Sequence, residues 1–201
     1  MAISTAGTSA LYPTLISTVW PEEESSKLAR NVVLAILGTA LLTISAKIQV
    51  PFYPVPMTLQ SLVVLVIGMA YGWRLAGATV LLYLAEGAAG LPVFAQGGGF
   101  AYFAGPTGGY LAGFLAAAVV TGWLAERGWD RNPLLTVLAL AIGTAIVFAL
   151  GVAWLSVLIG PERAYAGGFQ PFMIGAGAKL VLAALAVPVA WRMVRRYRDD
   201  A

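Results

Sequence analysis

Lys179 is the residue whose position most demands a chemical explanation. It follows Pro171 by eight residues in a stretch that is otherwise apolar and helix-forming. A cation about two helical turns into a membrane span costs on the order of 2.5–3.5 kcal/mol, so it should face a cavity or a partner. The other reading is snorkelling, with the ammonium reaching the headgroups and the stem lying in lipid. Facing a cavity, the ammonium offers three donors, which suits a carboxylate.

Other polar residues join it as candidate substrate-binding groups. Gln60 and Gln96 each carry a donor and an acceptor, which match a urea or an amide but equally satisfy loop backbone. Glu86 is a structural partner for Lys47 or Lys179, a ligand contact, or a solvated helix end. Phe94, Tyr53, Tyr83 and Tyr110 supply aromatic walls. No catalytic residue is assigned. The chain has no His and no Cys, so the commonest general base, the commonest metal ligand and thiolate chemistry are all missing. No metal and no cofactor is expected. No glycine-rich loop is followed by Lys-Ser or Lys-Thr, so no ATP site of the P-loop kind is expected. Binding or transport is the remaining class.

The elements that must position these groups are apolar. Of the 201 residues 60% are hydrophobic and 10% charged, with a mean hydropathy of +0.84. Soluble domains are roughly a quarter charged. The chain therefore reads as a polytopic, all-α membrane protein. Six transmembrane helices are expected: Leu28 to about Ile48, Thr58 to Tyr71, Arg74 to about Ala88, Thr107 to Glu126, Pro133 to about Ile159, and Phe172 to about Trp191. Gly72-Trp73-Arg74 marks a tight turn, and Thr107 is a possible cap. Pro133 suits the first turn of its helix. Residues 1–27 read as an arm and 28–198 as the membrane domain. The opening lacks a basic start followed by an apolar core, so it is not read as a signal peptide. Leu11, Tyr12, Leu15, Ile16, Val19 and Trp20 suit a short interfacial helix or a disordered arm.

Six spans place nine of the 12 basic residues on one side, among them Lys27, Arg30, Arg74, Arg127, Arg131 and Arg192. The positive-inside rule then puts both termini in the cytoplasm of a cell that carries the protein in its plasma or inner membrane. The three irregular segments, 49–57, 90–106 and 160–171, all fall on the other side. Seven glycines lie among the 21 residues from Gly90 to Tyr110, interleaved with aromatics. Irregular backbone near membrane depth is tolerated where protein buries it or where it lines a cavity. An outward-facing pocket with a cover follows.

Several strings resemble one family. "VPFYPVPMTLQSL" (50–62), "GLPVFA" (90–95), "GPTGGYLAGF" (105–114), "GVAWL" (151–155) and "PFMIGAGAK" (171–179) are similar to motifs of BioY proteins. These are the biotin-specific substrate-capture (S) components of energy-coupling factor (ECF) transporters. The resemblance covers about residues 28–191. It implies a six-helix fold whose outer loops cap one biotin. It also implies a transmembrane coupling protein and two cytoplasmic ATPases as partners, with the lipid bilayer as medium and no nucleic acid. Ala35, Thr39 and Ala40 are small residues on the first helix that can pack closely against the coupling protein, or within this subunit. The chain departs from the family pattern at Ala176, where an Asp is usual, and at Thr144, where an Asn is usual. Uptake of a different vitamin-like carboxylate and a non-transporting membrane scaffold are the alternatives those departures raise.

Overall fold

The computed structural model describes residues 12–20 and 26–199. Its helices are α1 (Leu15–Val19), α2 (Lys27–Lys47), α3 (Gln60–Ala88), α4 (Gly108–Ala125), α5 (Pro133–Ile159), α6 (Pro161–Gly168) and α7 (Phe172–Asp199). Strands β1 (Gln49–Val50) and β2 (Met57–Thr58) pair antiparallel, Gln49 opposite Thr58. Among the described residues, five helices are long and apolar enough to cross a membrane: α2, α3, α4, α5 and α7. Inside a bilayer the backbone has no water to bond, so helices that satisfy it internally are forced. The start of α5 shows the local logic: Pro133 takes its first turn, and the Asn132 side chain accepts from the amides of Leu134 and Leu135.

α3 is one element that does the work of two crossings. Gly72 leaves helical geometry at φ 79° and ψ 169°. The Gln60 amide nevertheless donates to the Tyr83 hydroxyl at 2.6 Å. On a straight helix those residues would stand roughly 34 Å apart. The arms 60–71 and 73–88 therefore fold back on each other at Gly72, and the chain has six crossings. A φ of this sign favours glycine, and a Cβ there would strike the Glu126 carboxylate and Thr14.

Glycines also bring the helices together. A Cβ on Gly122 of α4 would meet the backbone of Gly72 and Trp73 at 2.5–2.7 Å. One on Gly113 would meet the backbone of Val147 in α5 at 2.9 Å. Small residues at such crossings are how membrane helices gain packing without a hydrophobic drive between them. The core between the helices is filled by Leu42, Val64, Met69, Val80 and Leu140.

The structure refines several expected boundaries. Residues 160–171 are not wholly irregular: after Gly160 at φ 85°, Pro161 opens α6. The segment 49–57 carries a short β-hairpin, and 90–106 contains a 3-10 turn, Phe100–Ala104. α7 continues past Trp191 to Asp199. Thr107 makes no side-chain cap. The short amphipathic helix is α1, with Leu15 buried and Tyr12, Val19 and Trp20 exposed; Leu11 lies outside the described residues. On α2, Ala35 and Thr39 are buried within the chain, because Gly38 lets that face sit against Thr79 of α3. Ala40 is exposed.

At the end opposite the long loops, a polar knot holds the last helix. The Trp191 indole donates to Asp130 at 2.7 Å. The Arg131 guanidinium lies 4.7 Å from both the Tyr12 and the Trp191 ring, and donates to the Pro13 carbonyl at 3.0 Å.

Two predictions follow from this packing. Gly122→Ala should cost roughly 1–3 kcal/mol by forcing backbone apart, whereas Gly177→Ala, with nothing within 4 Å, should be neutral or slightly stabilising. Melting in detergent checks the pair. Burial pushes the Asp130 carboxyl above its ordinary range, against weaker lowering by Trp191 and Arg131. A raised acid stabilises the fold while protonated and loses that contribution as pH rises through the folded value. The melting temperature of Asp130→Asn minus that of wild type should therefore grow by a few degrees as pH climbs from the carboxylate range to neutrality. A difference that shrinks with pH would refute the assignment.

Candidate ligand-binding cavity

Helix ends and loops line a partly open cavity whose empty space, with the solvent at its mouth counted in, is about 790 Å³. β2 and the start of α3 supply Thr58, Gln60 and Ser61; the segment 90–106 supplies Phe94, Ala95 and Tyr102. α4 contributes Tyr110 and Phe114, α5 Thr144 and Phe148, and α7 Phe172, Ala176 and Lys179. The walls are otherwise mostly aliphatic, and among the described residues Lys179 is the one charged lining residue.

The Lys179 ammonium donates to the Thr58 carbonyl at 2.6 Å and meets the Ser61 hydroxyl at 3.2 Å. Both partners are neutral, and no carboxylate lines the cavity. An ammonium has three donors, so one remains for a ligand. Helix α7 sets this position: Phe172, Ala176 and Lys179 recur at three- and four-residue spacing, which is one helical face.

The aromatic walls come from the segment 90–106, α4, α5 and α7. Phe148 lies edge-on to Tyr110, Phe169 and Phe172, at 6.4, 5.3 and 6.1 Å between ring centroids. Phe94 sits among Tyr83, Tyr102 and Phe103 at 5.4, 4.8 and 5.6 Å. Its ring fills the notch that Gly87 leaves, where any Cβ would collide with it.

The loop is held by its carbonyls. Tyr83 donates to the Val93 carbonyl at 2.9 Å, Lys47 to Phe94 at 2.6 Å, and Gln49 to Ala95 at 3.2 Å. Further along, the Trp154 indole donates to Gly105 at 2.9 Å. Tyr110 ties α4 to the end of α6 through the Gly168 carbonyl at 2.7 Å.

Of the residues singled out in the sequence, Lys179, Gln60, Phe94 and Tyr110 line the cavity together. Tyr83 stands behind it, bonded to Gln60. Tyr53 is 94% exposed, at the tip of the β-hairpin. Gln96 is exposed and Glu86 half-buried, and neither lines the cavity. Gln96 follows the anchored carbonyls in the chain. Glu86 does not meet Lys47 or Lys179, whose ammonium groups go to carbonyl oxygens. Thr58, Ser61, Tyr102, Phe148 and Phe172 were not singled out beforehand. Their types are ordinary in membrane helices and loops, and only the fold brings them to one space.

A wider apolar groove, about 1290 Å³, lies between α5, α6 and α7. Its wall shares Thr144, Phe148, Ala176 and Leu180 with the cavity.

Six crossings around a cavity roofed by anchored loops fit the class of membrane substrate-binding proteins. The BioY family model matches residues 17–196, and the chain belongs to the BioY family. It is 41% identical over 193 residues to the biotin transporter BioY of Rhodobacter capsulatus, covering 86% of this chain and 96% of that one. To the biotin transporter BioY of Thermotoga maritima it is 40% identical over 159 residues, 78% and 92% of the two chains. The crystal structure of the S-component for biotin from an ECF-type ABC transporter superposes with a TM-score of 0.74 at 25% identity, covering 85% of this chain and 95% of that one.

The loop anchors give a prediction. Lys47→Met removes a charged hydrogen bond worth roughly 1.5–3 kcal/mol. The segment around Phe94, Phe100 and Tyr102 should open, and chymotrypsin should cut there at least several-fold faster than in wild type. Unchanged cleavage would show that the other anchors suffice.

Proposed function

We propose that this protein is the substrate-binding subunit of an ECF transporter and captures biotin. The observation that carries the reading is Lys179, a cation with neutral partners in an otherwise apolar and aromatic cavity. Biotin presents a carboxylate, an apolar chain with a thioether ring, and a urea. The cavity offers one ammonium, aromatic and aliphatic walls, and the Gln60 amide. The names of the BioY relatives and of the superposed S-component point to the same ligand.

Transport then needs an energy source, which the reading assigns to partners: a transmembrane coupling protein and two cytoplasmic ATPases. The basic end, with Lys27, Arg74, Arg127, Arg131 and Arg192, is the cytoplasmic one by the positive-inside rule. The cavity mouth then opens outward, and both termini lie inside. Residues 28–198 form the substrate-binding domain and 1–27 a cytoplasmic arm. Ala40 faces outward on α2 among Ile36, Leu37, Leu41 and Ile44, and this face is the one assigned to the coupling protein.

Labelled biotin binding to the purified protein, beside related vitamins, tests the reading. Saturable biotin binding supports it. Another small carboxylate bound in place of biotin would favour a changed ligand, consistent with Ala176 and Thr144 on the cavity wall. No ligand at all would favour a scaffold. Lys179→Met should weaken biotin about tenfold or more, the worth of one charged hydrogen bond. Biotin methyl ester should lose less, because it lacks the anion. Equal losses would place the ammonium on the ureido oxygen, which esterification leaves intact.

A further inference from the structure

Gln60 is the one lining residue with a side-chain carbonyl. A free glutamine amide can present either its oxygen or its nitrogen to a ligand. Here the choice is made behind the cavity. The Tyr83 hydroxyl donates its single proton to the Val93 carbonyl at 2.9 Å. Its oxygen is left as an acceptor, and the Gln60 amide nitrogen donates to it at 2.6 Å. A flipped amide would set oxygen against that oxygen with no proton between them. On the other side, the Thr58 hydroxyl donates to the Gln60 carbonyl oxygen at 3.4 Å, which leaves that oxygen one lone pair for a ligand. Tyr83 and Gln60 are both buried, so water does not readily replace these bonds.

We infer that Tyr83 is a positioning residue: it fixes the Gln60 amide so that its carbonyl oxygen faces the ligand and accepts a ureido N–H. The inference rests on the biotin reading and deepens it. The same hydroxyl connects ligand recognition to the roof, since Val93 begins the run of anchored carbonyls. A urea donor seated on Gln60 strengthens a chain that ends on the loop. A ligand offering only an acceptor at that point meets another acceptor and is rejected.

The test compares biotin with biotin methylated on one or the other ureido nitrogen, using the purified full chain. In wild type, methylation of the nitrogen that faces Gln60 should weaken binding by about tenfold or more. In Gln60→Leu and in Tyr83→Phe that ratio should fall by about fivefold, because the acceptor is absent or free to rotate. A purely structural role for Tyr83 would weaken all three ligands alike and keep the ratio, which overturns the inference. An unchanged ratio in both variants overturns it too. A ratio that collapses in Gln60→Leu alone removes Tyr83 from the relay. Absence of biotin binding by wild type would instead sink the biotin reading beneath it. Should Tyr83→Phe fail to fold, the wild-type NMR signals of the Gln60 side chain decide. One slowly exchanging amide proton supports the relay, and two rapidly exchanging ones refute it.

Discussion

Three consecutive backbone carbonyls, at Val93, Phe94 and Ala95, each end on a side chain from a different element: Tyr83, Lys47 and Gln49. Non-helical backbone beside a membrane leaves such oxygens without regular partners, and each unpaired one costs several kcal/mol in hydrocarbon. Anchoring all three makes an irregular roof possible at that depth. It also fixes where Phe94 points, because the residue is gripped from both sides. The cavity is the space left once the roof has been held.

The anchoring depends in turn on the hinge at Gly72. Tyr83 reaches Gln60 and Val93 only because the second arm of α3 returns beside the first. That return needs a backbone conformation favouring glycine, and a partner, Gly122, that lets α4 lie against the turn. One residue at the basic end therefore governs the geometry of the roof at the other. The polar knot of Asp130, Arg131 and Trp191 plays the matching part for α7, holding the far end of the helix that carries Lys179.

Much of this was legible in the sequence, for physical reasons that can be named. Apolar runs bounded by Pro, Gly and charge set the six crossings, and the Gly72 turn between two short spans was visible. Lys179 stood out because charge is expensive in such a run. Less visible was anything that depends on side-chain direction. Gln96 and Gln60 look alike in the sequence, yet one is exposed and the other buried. Lys47 looked like an ion-pair candidate but bonds a carbonyl. α6 was hidden because its eight residues hold two glycines and only a proline to start it. For Ala35 and Thr39 the sequence left two readings open, because small residues suit an interface equally well inside and outside a subunit; both are buried within the chain.

The two positions that depart from the family pattern meet in the wall of the cavity. Thr144 spends its hydroxyl proton on the Leu140 carbonyl, so it faces the cavity with lone pairs only. Ala176 offers nothing polar. Between them they leave the α5–α7 wall without a polar donor at these two positions, and the same two residues line the outer groove. A carboxylate at 176 would have stood one helical turn from Lys179 and balanced its charge within the protein. Without it, the ammonium keeps its third donor for whatever enters. Polar recognition is thereby concentrated at the seam of β2, α3 and α7, where Thr58 contacts both Lys179 and Gln60. The opposite wall then selects by shape, by aromatic contact and by the Thr144 lone pairs.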